Sequence, residues 1–186
     1  IAVIGYTGSG KSVLAAKLGK IPGCPVLHLD KLQFEAGWKE RKEAEGNRLC
    51  EQFLEENKER GWVIDGNYEK FCQKRRMKEA DLIIFMDYPR WICLWQALRR
   101  YYRYKGHTRK SMADGCIEKM DKEFILWILK NGRSREKKED YKRVGAQYPD
   151  KFIQVRNRRQ LRATVIRLLQ LQNEKGLYAG TGSRKR

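Results

Sequence analysis

The run Gly5-Tyr6-Thr7-Gly8-Ser9-Gly10-Lys11-Ser12, set directly behind the apolar stretch Ile1-Ala2-Val3-Ile4, constrains this chain more than any other feature. A glycine, four open positions and then Gly-Lys-Ser is a pattern whose backbone N–H groups close around phosphate oxygens. Lys11 is expected to reach the outer phosphates and the Ser12 hydroxyl to hold Mg²⁺. A helix opening at Val13 would turn the positive end of its dipole toward the same anion. The pattern demands strand, loop and helix in that order, and the flanks read so, with 1–4 as strand and 13–20 as helix. By average residue usage it arises by chance in about one such chain in a hundred. Gly5, Tyr6, Thr7, Gly8, Ser9, Gly10, Lys11, Ser12 and Val13 are thus the candidate phosphate- and nucleotide-binding residues.

Five short apolar runs, at 1–4, 26–29, 62–64, 82–86 and 152–155, read as strands covered on both faces. Helical patterns at 13–20, 39–60, 69–78, 91–104 and 160–172 follow them in turn. Strands alternating with helices predict an α/β chain with a parallel, doubly wound sheet and helices on both faces. Ligands in such sheets bind beyond the carboxyl ends of the strands. The gap from 87 to 151 is longer than a crossover needs, and further helical patterns at 117–130 and 135–144 fall inside it. A lid-like insertion at about 104–135, between the fourth and fifth strands, accounts for the excess. Residues 1–175 then form one domain, and the small, polar and basic residues 176–186 a flexible tail.

The formal net charge is +18, and it is unevenly spread. Residues 1–98 carry 16 Lys and Arg against 14 Asp and Glu, for +2; residues 99–186 carry 25 against 9, for +16. Such asymmetry fits a phosphate-attracting face or a solvated one, and allows weak non-specific contact with nucleic acid through the C-terminal half. No apolar run approaches the ~20 residues of a membrane span. The five cysteines are widely spaced, form no Cys-x-x-Cys pair and read as reduced thiols in the cytoplasm. No signal peptide is legible, and a chain opening at Ile1 without methionine is expected to lack a few leading residues.

Two carboxylates stand at the ends of expected strands, Asp30 in His28-Leu29-Asp30 and Asp65 in Ile64-Asp65-Gly66. One such residue normally supports the metal shell, and the other accepts or positions a substrate hydroxyl. Asp65 fits the metal side and Asp30 the substrate side, although either alone also suits a cap. Asp87, before Tyr88-Pro89, reads as a helix start. Arg99 and Arg103, four apart on one helical face, suit the charge of a transferring phosphoryl group. Arg100 and Arg109 rank behind them, and Arg133 and Arg135 would close from the other side. Trp91, Trp95, Leu98 and Tyr102 form an apolar stripe beside the arginines, as core packing would.

Taken in order, several stretches resemble one family. They are Gly5–Ser12, His28-Leu29-Asp30-Lys31-Leu32 with Gly37-Trp38, Trp62-Val63-Ile64-Asp65-Gly66-Asn67-Tyr68, the run from Arg76-Met77 to Phe85, Asp87-Tyr88-Pro89-Arg90, and the Arg99/Arg103 pair. The chain is similar to the adenylate-kinase-like group of P-loop kinases, and within it to the bacterial DNA topology modulation proteins. The resemblance implies a P-loop NTPase fold with a five-stranded parallel sheet, a lid, and use of ATP with Mg²⁺. Asp65-Gly66 resembles the Asp-Gly of adenylate kinases, where an arginine follows shortly to grip a nucleoside monophosphate. Here Asn67-Tyr68-Glu69 follows instead, which argues against AMP as acceptor. Asp30 matches the substrate-binding acid of shikimate- and gluconate-type kinases.

The expected function is therefore an ATP·Mg-dependent phosphotransferase with Lys11, Asp30, Asp65, Arg99 and Arg103 as its catalytic set. A small hydroxyl- or phosphate-bearing acceptor would sit near Asp30, Trp38, Arg76 and Arg90. The alternative is a nucleic-acid-binding ATPase affecting DNA topology, its basic half tracking phosphates and its aromatics stacking on bases. Against it, the tryptophans fall at core spacing and no helix-turn-helix or zinc module is legible. A GTPase is remote, since 57–60 reads Asn-Lys-Glu-Arg and no Asn-Lys-x-Asp string occurs.

Overall fold

The three most apolar runs of the chain lie side by side in the middle of a sheet. The computed structural model describes residues 1–20 and 23–181, with side chains to Leu171. Five parallel strands, β1 (Ala2–Gly5), β2 (Val26–His28), β3 (Val63–Asp65), β4 (Ile83–Met86) and β5 (Phe152–Val155), pair in the order β2-β3-β1-β4-β5. Every residue of β1, β3 and β4 is buried, while the edge strands β2 and β5 are half-covered. This is the pattern that helices on both faces impose on central strands. The chain leaves β1 toward one edge and β4 toward the other, so the carboxyl ends of these two neighbours flank a crevice.

The helices are α1 (Lys11–Lys20), α2 (Leu29–Gln33), α3 (Glu43–Glu56), α4 (Gln73–Glu79), α5 (Arg90–Tyr104), α6 (Lys122–Leu129), α7 (Arg135–Gln147) and α8 (Arg158–Thr181). Several boundaries depart from the sequence pattern, each for a local reason. β2 stops at His28, and Leu29 already opens α2, which places Asp30 in a helical first turn. Helix α3 starts at Glu43 rather than 39, because 34–41 folds back on itself through a Phe34↔Glu40 bridge and the Arg41 N–H to Gln33 carbonyl bond (2.8 Å). Helix α4 waits until Gln73 because Cys72 is left-handed (φ 49°). Helix α6 starts at Lys122, not 117, where the Asp121 carboxylate caps the Phe124 N–H at 2.8 Å.

The expected insertion at 104–135 corresponds to an irregular stretch, 105–121, followed by α6 and a short 3₁₀ turn at Asn131–Arg133. The backbone of α8 remains helical to Thr181, past the point where a loose tail from 176 is expected; residues 182–186 lie outside the described residues. Among the described residues no helix is long and apolar enough to cross a membrane.

The aromatic stripe of α5 is not core. Trp91 is 67% exposed, Trp95 51% and Tyr102 74%, and the buried line is Cys93 and Ala97. The reason is steric. The loop after β1 comes so close to α5 that a Cβ on Gly8 would lie 2.4 Å from the Cys93 carbonyl oxygen. Only small side chains fit on that face, so the large ones turn outward.

Helix α1 packs on β2 with equal tightness. A Cβ on Gly19 would meet Val26 Cγ2 at 2.2 Å and the Cys24 carbonyl oxygen at 3.0 Å. Gly19→Ala should therefore lower stability by about 1–3 kcal/mol, despite a helix-propensity gain of about 1 kcal/mol. Urea unfolding checks this; a variant more stable than the parent would mean α1 does not need the close approach.

Candidate functional site

The Gly5–Ser12 loop joins β1 to α1 at the carboxyl end of the sheet. Gly5 (φ 142°) and Gly8 (φ 80°) hold conformations that a side chain would strain, and a Cβ on Gly5 would sit 2.5 Å from the Met86 carbonyl oxygen. Asn67, which follows β3, fixes the loop's entry. Its Oδ1 accepts the Gly5 N–H at 2.9 Å, and its Nδ2 donates back to the Gly5 carbonyl. From the other side, Trp127 Nε1 of α6 donates to Thr7 Oγ1 at 3.1 Å.

Lys11 curls into the loop and donates to the carbonyls of Gly5 (2.8 Å) and Tyr6 (3.1 Å). Burial pushes its pKa down, and Asp30 and Asp65 oppose that shift without forming an ion pair with it. A half-buried ammonium that is held, among the described residues, by carbonyls alone is poorly compensated and offers a site for an anion. The neighbouring Ser9 Oγ is buried with no partner among the described residues. Ser12 Oγ donates to Asp65 Oδ2 at 2.8 Å, and His28 Nδ1 pairs with Asp65 Oδ1. Register explains the second contact, since His28 and Asp65 are direct neighbours on β2 and β3. No cluster of three His, Cys, Asp or Glu able to hold a metal exists among the described residues. Ser12 and Asp65 supply the kind of sparse oxygen set that suits Mg²⁺, which usually keeps waters and takes its other ligands from phosphate.

Above the loop lies a cavity of about 950 Å³. Its walls bring together Thr7, Gly8, Gly10, Lys11, Ser12, Val13, Asp30, Trp38, Asp65, Arg99 and Arg103 from the sequence-derived set. Gly5, Tyr6 and Ser9 shape the loop but do not line this cavity. The second-rank Arg100 and Arg109 also line it, and are tied to one buried carboxylate. Arg100 Nε donates to Glu118 Oε1 at 2.6 Å, and Arg109 pairs with Glu118 Oε2. Burial pushes the Arg100 pKa down, helped by the like charge of Arg109. Two guanidiniums on one carboxylate leave a net positive charge facing the cavity.

Several lining residues escape the sequence reading: Gln33, Phe34, Asn67, Tyr68, Gln96, Glu118 and Trp127. Asn67 and Tyr68 carry a usable signal, because they directly follow a strand. Glu118 and Trp127 carry none, being placed by the irregular stretch and α6. Tyr68 donates its hydroxyl to Asp30 Oδ1 at 3.0 Å, and burial followed by the Asp30 charge raises its pKa.

Two residues expected at an acceptor lie elsewhere. Arg76 is 1% exposed and turns into the protein, donating from Nε to the Phe71 carbonyl (2.6 Å) and from Nη2 to the Tyr68 carbonyl (2.8 Å). Burial lowers its pKa to about 10. It ties the turn before α4 to the helix and lines no cavity with Asp30. Arg90 borders a second cavity of about 820 Å³, walled by Tyr6, Phe85, Tyr141 and Phe152. Arg133 is there too, its guanidinium 3.8 Å from the Tyr6 ring centre and bonded to the Tyr88 carbonyl (2.7 Å). Arg135 pairs with Glu139 on the surface, and neither arginine lines the cavity above the loop, although Arg133 packs on the loop's Tyr6. Asp87 does not cap α5; it accepts from Gln154 Nε2 at 2.7 Å.

Arg76→Met would leave two main-chain oxygens without their charged donor, and should cost about 2–4 kcal/mol of stability. Thermal unfolding measures this; unchanged stability with lost ligand affinity would return Arg76 to an acceptor role. No protein-family model matches this chain, and no curated protein matches it.

Proposed function

We propose that the chain is an ATP·Mg²⁺-dependent kinase with a P-loop NTPase fold, of the adenylate-kinase-like group and resembling the DNA topology modulation proteins. It transfers the γ-phosphoryl group to a small hydroxyl- or phosphate-bearing acceptor. One observation carries the reading: a half-buried Lys11 that has no carboxylate partner among the described residues, curled inside a loop whose glycines leave its backbone bare. That arrangement is the electrostatic complement of a polyphosphate tail.

The residues divide the work as follows. Loop amides and Lys11 hold the β- and γ-phosphates. Ser12 and, one step further out, Asp65 suit the metal, with His28 holding Asp65 in place. Bound magnesium supplies charge neutralisation across phosphate oxygens. Arg99 and Arg103 line the cavity from α5 and stabilise the charge that spreads over the moving phosphoryl group. Asp30, oriented by Tyr68, accepts the acceptor's hydroxyl proton. The 105–121 stretch and α6 act as a lid that excludes water, with Trp127 already touching Thr7. All five cysteines are free thiols, which supports a reducing, cytoplasmic setting.

A second reading, a nucleic-acid-binding ATPase, gains from the outward tryptophans. Trp95 is exposed beside Arg99 (5.6 Å) and Arg158 (5.9 Å), a pairing of flat ring and guanidinium that suits single-stranded phosphate chains. It stays second because the same ring, with Arg99 and Arg158, lines the cavity above the loop, where a small ligand accounts for it.

Lys11→Ala should weaken binding of a non-hydrolysable ATP analogue by about a hundredfold or more, with circular dichroism unchanged; equal affinity would refute the assignment. Arg99→Ala or Arg103→Ala should lower kcat by about ten- to a hundredfold while leaving KM for ATP within a factor of about two. Steady-state kinetics distinguish this from a KM effect alone, which would mark a binding role instead.

A further inference from the structure

The acceptor wall of the cavity is built from one short excursion, Asp30 to Glu40, together with Tyr68. Its chemistry is specific. The only charged side chains it contributes are the carboxylates Asp30 and Glu40; Lys31, Lys39 and Arg41 do not line the cavity. The guanidinium that feels Asp30, that of Arg100, is already engaged by Glu118. A phosphomonoester would meet the Asp30 and Glu40 carboxylates on this wall, while Lys119 of the irregular stretch stands 5.7 Å over the Trp38 ring. A neutral, hydroxyl-bearing molecule meets the same carboxylates without like-charge repulsion.

Three further features define its shape. Asp30 Oδ1 is held by the Tyr68 hydroxyl, and Oδ2 makes no hydrogen bond among the described residues. A fixed carboxylate with one open oxygen is a hydroxyl acceptor. Gln33 is 5% exposed, lines the cavity, and among the described residues its Oε1 has no partner. A buried acceptor without a donor is unfavourable, and a turn of the Gln33 carboxamide about its last bond would bring it to a ligand N–H. Phe34 and Trp38 pack edge to face at 5.2 Å and give the wall flat apolar surface. Trp38 does so at a cost, in a left-handed conformation (φ 68°). The irregular stretch holds it there: Trp38 N–H donates to Cys116 Sγ (3.3 Å), and its Nε1 donates to the Ile117 carbonyl (2.9 Å).

A carboxamide beside aromatic rings recognises a planar heterocycle that carries N–H donors, by hydrogen bonds to its edge and contact with its face. An open carboxylate beyond them takes a sugar hydroxyl. We infer that the acceptor is a nucleoside, its base read by Gln33 beside the Phe34–Trp38 pair and its primary hydroxyl on Asp30. The inference rests on the kinase reading and deepens it. The nucleoside oxygen forms the new bond to the γ-phosphorus of ATP. The bond from that phosphorus to the β,γ-bridging oxygen breaks, and its electron pair leaves with ADP. The hydroxyl proton passes to Asp30. The cavity's 950 Å³ lies at the upper end of ordinary ligand sites, which accommodates two substrates together.

Isothermal titration calorimetry on the full chain tests this. A non-hydrolysable ATP analogue with Mg²⁺ is titrated first, followed by adenosine, guanosine, cytidine and thymidine, their 5′-monophosphates, and gluconate. At least one nucleoside is expected to bind the analogue-loaded protein, its monophosphate at least tenfold more weakly. Gln33→Leu should weaken that nucleoside at least tenfold and leave the analogue's affinity within twofold. Gln33→Met, closer in shape, serves if the leucine variant fails to fold. Analogue binding with no nucleoside binding, preference for a monophosphate or gluconate, or nucleoside affinity unchanged by both Gln33 variants would overturn the inference while leaving the kinase reading intact. Failure of the analogue itself to bind would overturn the kinase reading and the inference with it.

Discussion

The contact on which the most structure depends is the approach of the Gly5–Ser12 backbone to β4 and to the first turn of α5. At Gly5 the chain passes so near Met86 that a Cβ would lie 2.5 Å from its carbonyl oxygen, and at Gly8 it comes as close to Cys93. Neither gap admits a side chain. With the loop seated there, Lys11 binds only carbonyls among the described residues, and the face of α5 toward it must be small. The exposed tryptophans of α5 are the other side of this constraint: the helix has one face for the loop, and its bulk goes to solvent.

Around the loop, single contacts reach from distant parts of the chain. Asn67 brackets the Gly5 peptide, His28 and Ser12 share Asp65, and Trp127 reaches Thr7 from α6. Trp127 comes from α6, whereas Asn67, His28 and Ser12 stand at or just beyond the carboxyl ends of β3, β2 and β1. Parallel register does this, because it lines up the carboxyl ends of strands far apart in sequence. The arginines arrive differently. Arg100 and Arg109 are gathered by Glu118, a buried carboxylate that sets their positions and leaves the cavity positively charged.

Much of this was legible in the sequence where the signal is local. Gly5, Lys11 and Ser12 announce themselves because phosphate chemistry needs those residue types at that spacing. The strands show as apolar runs because both their faces are covered, and Asp30 and Asp65 show because they end such runs. What was not legible depends on partners. Arg76 and Arg90 resemble any surface arginine until the fold turns one into the turn before α4 and sets the other at a second cavity. The periodicity of Trp91, Trp95, Leu98 and Tyr102 correctly marks one side of a helix, but periodicity does not say which side faces the core. Gln33 and Glu118 have no local signal, since a carboxamide in a short helix and a glutamate in an irregular stretch acquire meaning only from what surrounds them.

By itself the sequence determined a parallel α/β chain with a bare-backboned loop and a lysine at its first strand's end, because those features follow from burial and from the steric freedom of glycine. Only the tertiary structure decided which arginines share the cavity, which face of α5 is covered and which polar groups go unpartnered. Those outcomes depend on distances between segments remote in sequence, and no residue carries that information until the sheet has closed its register.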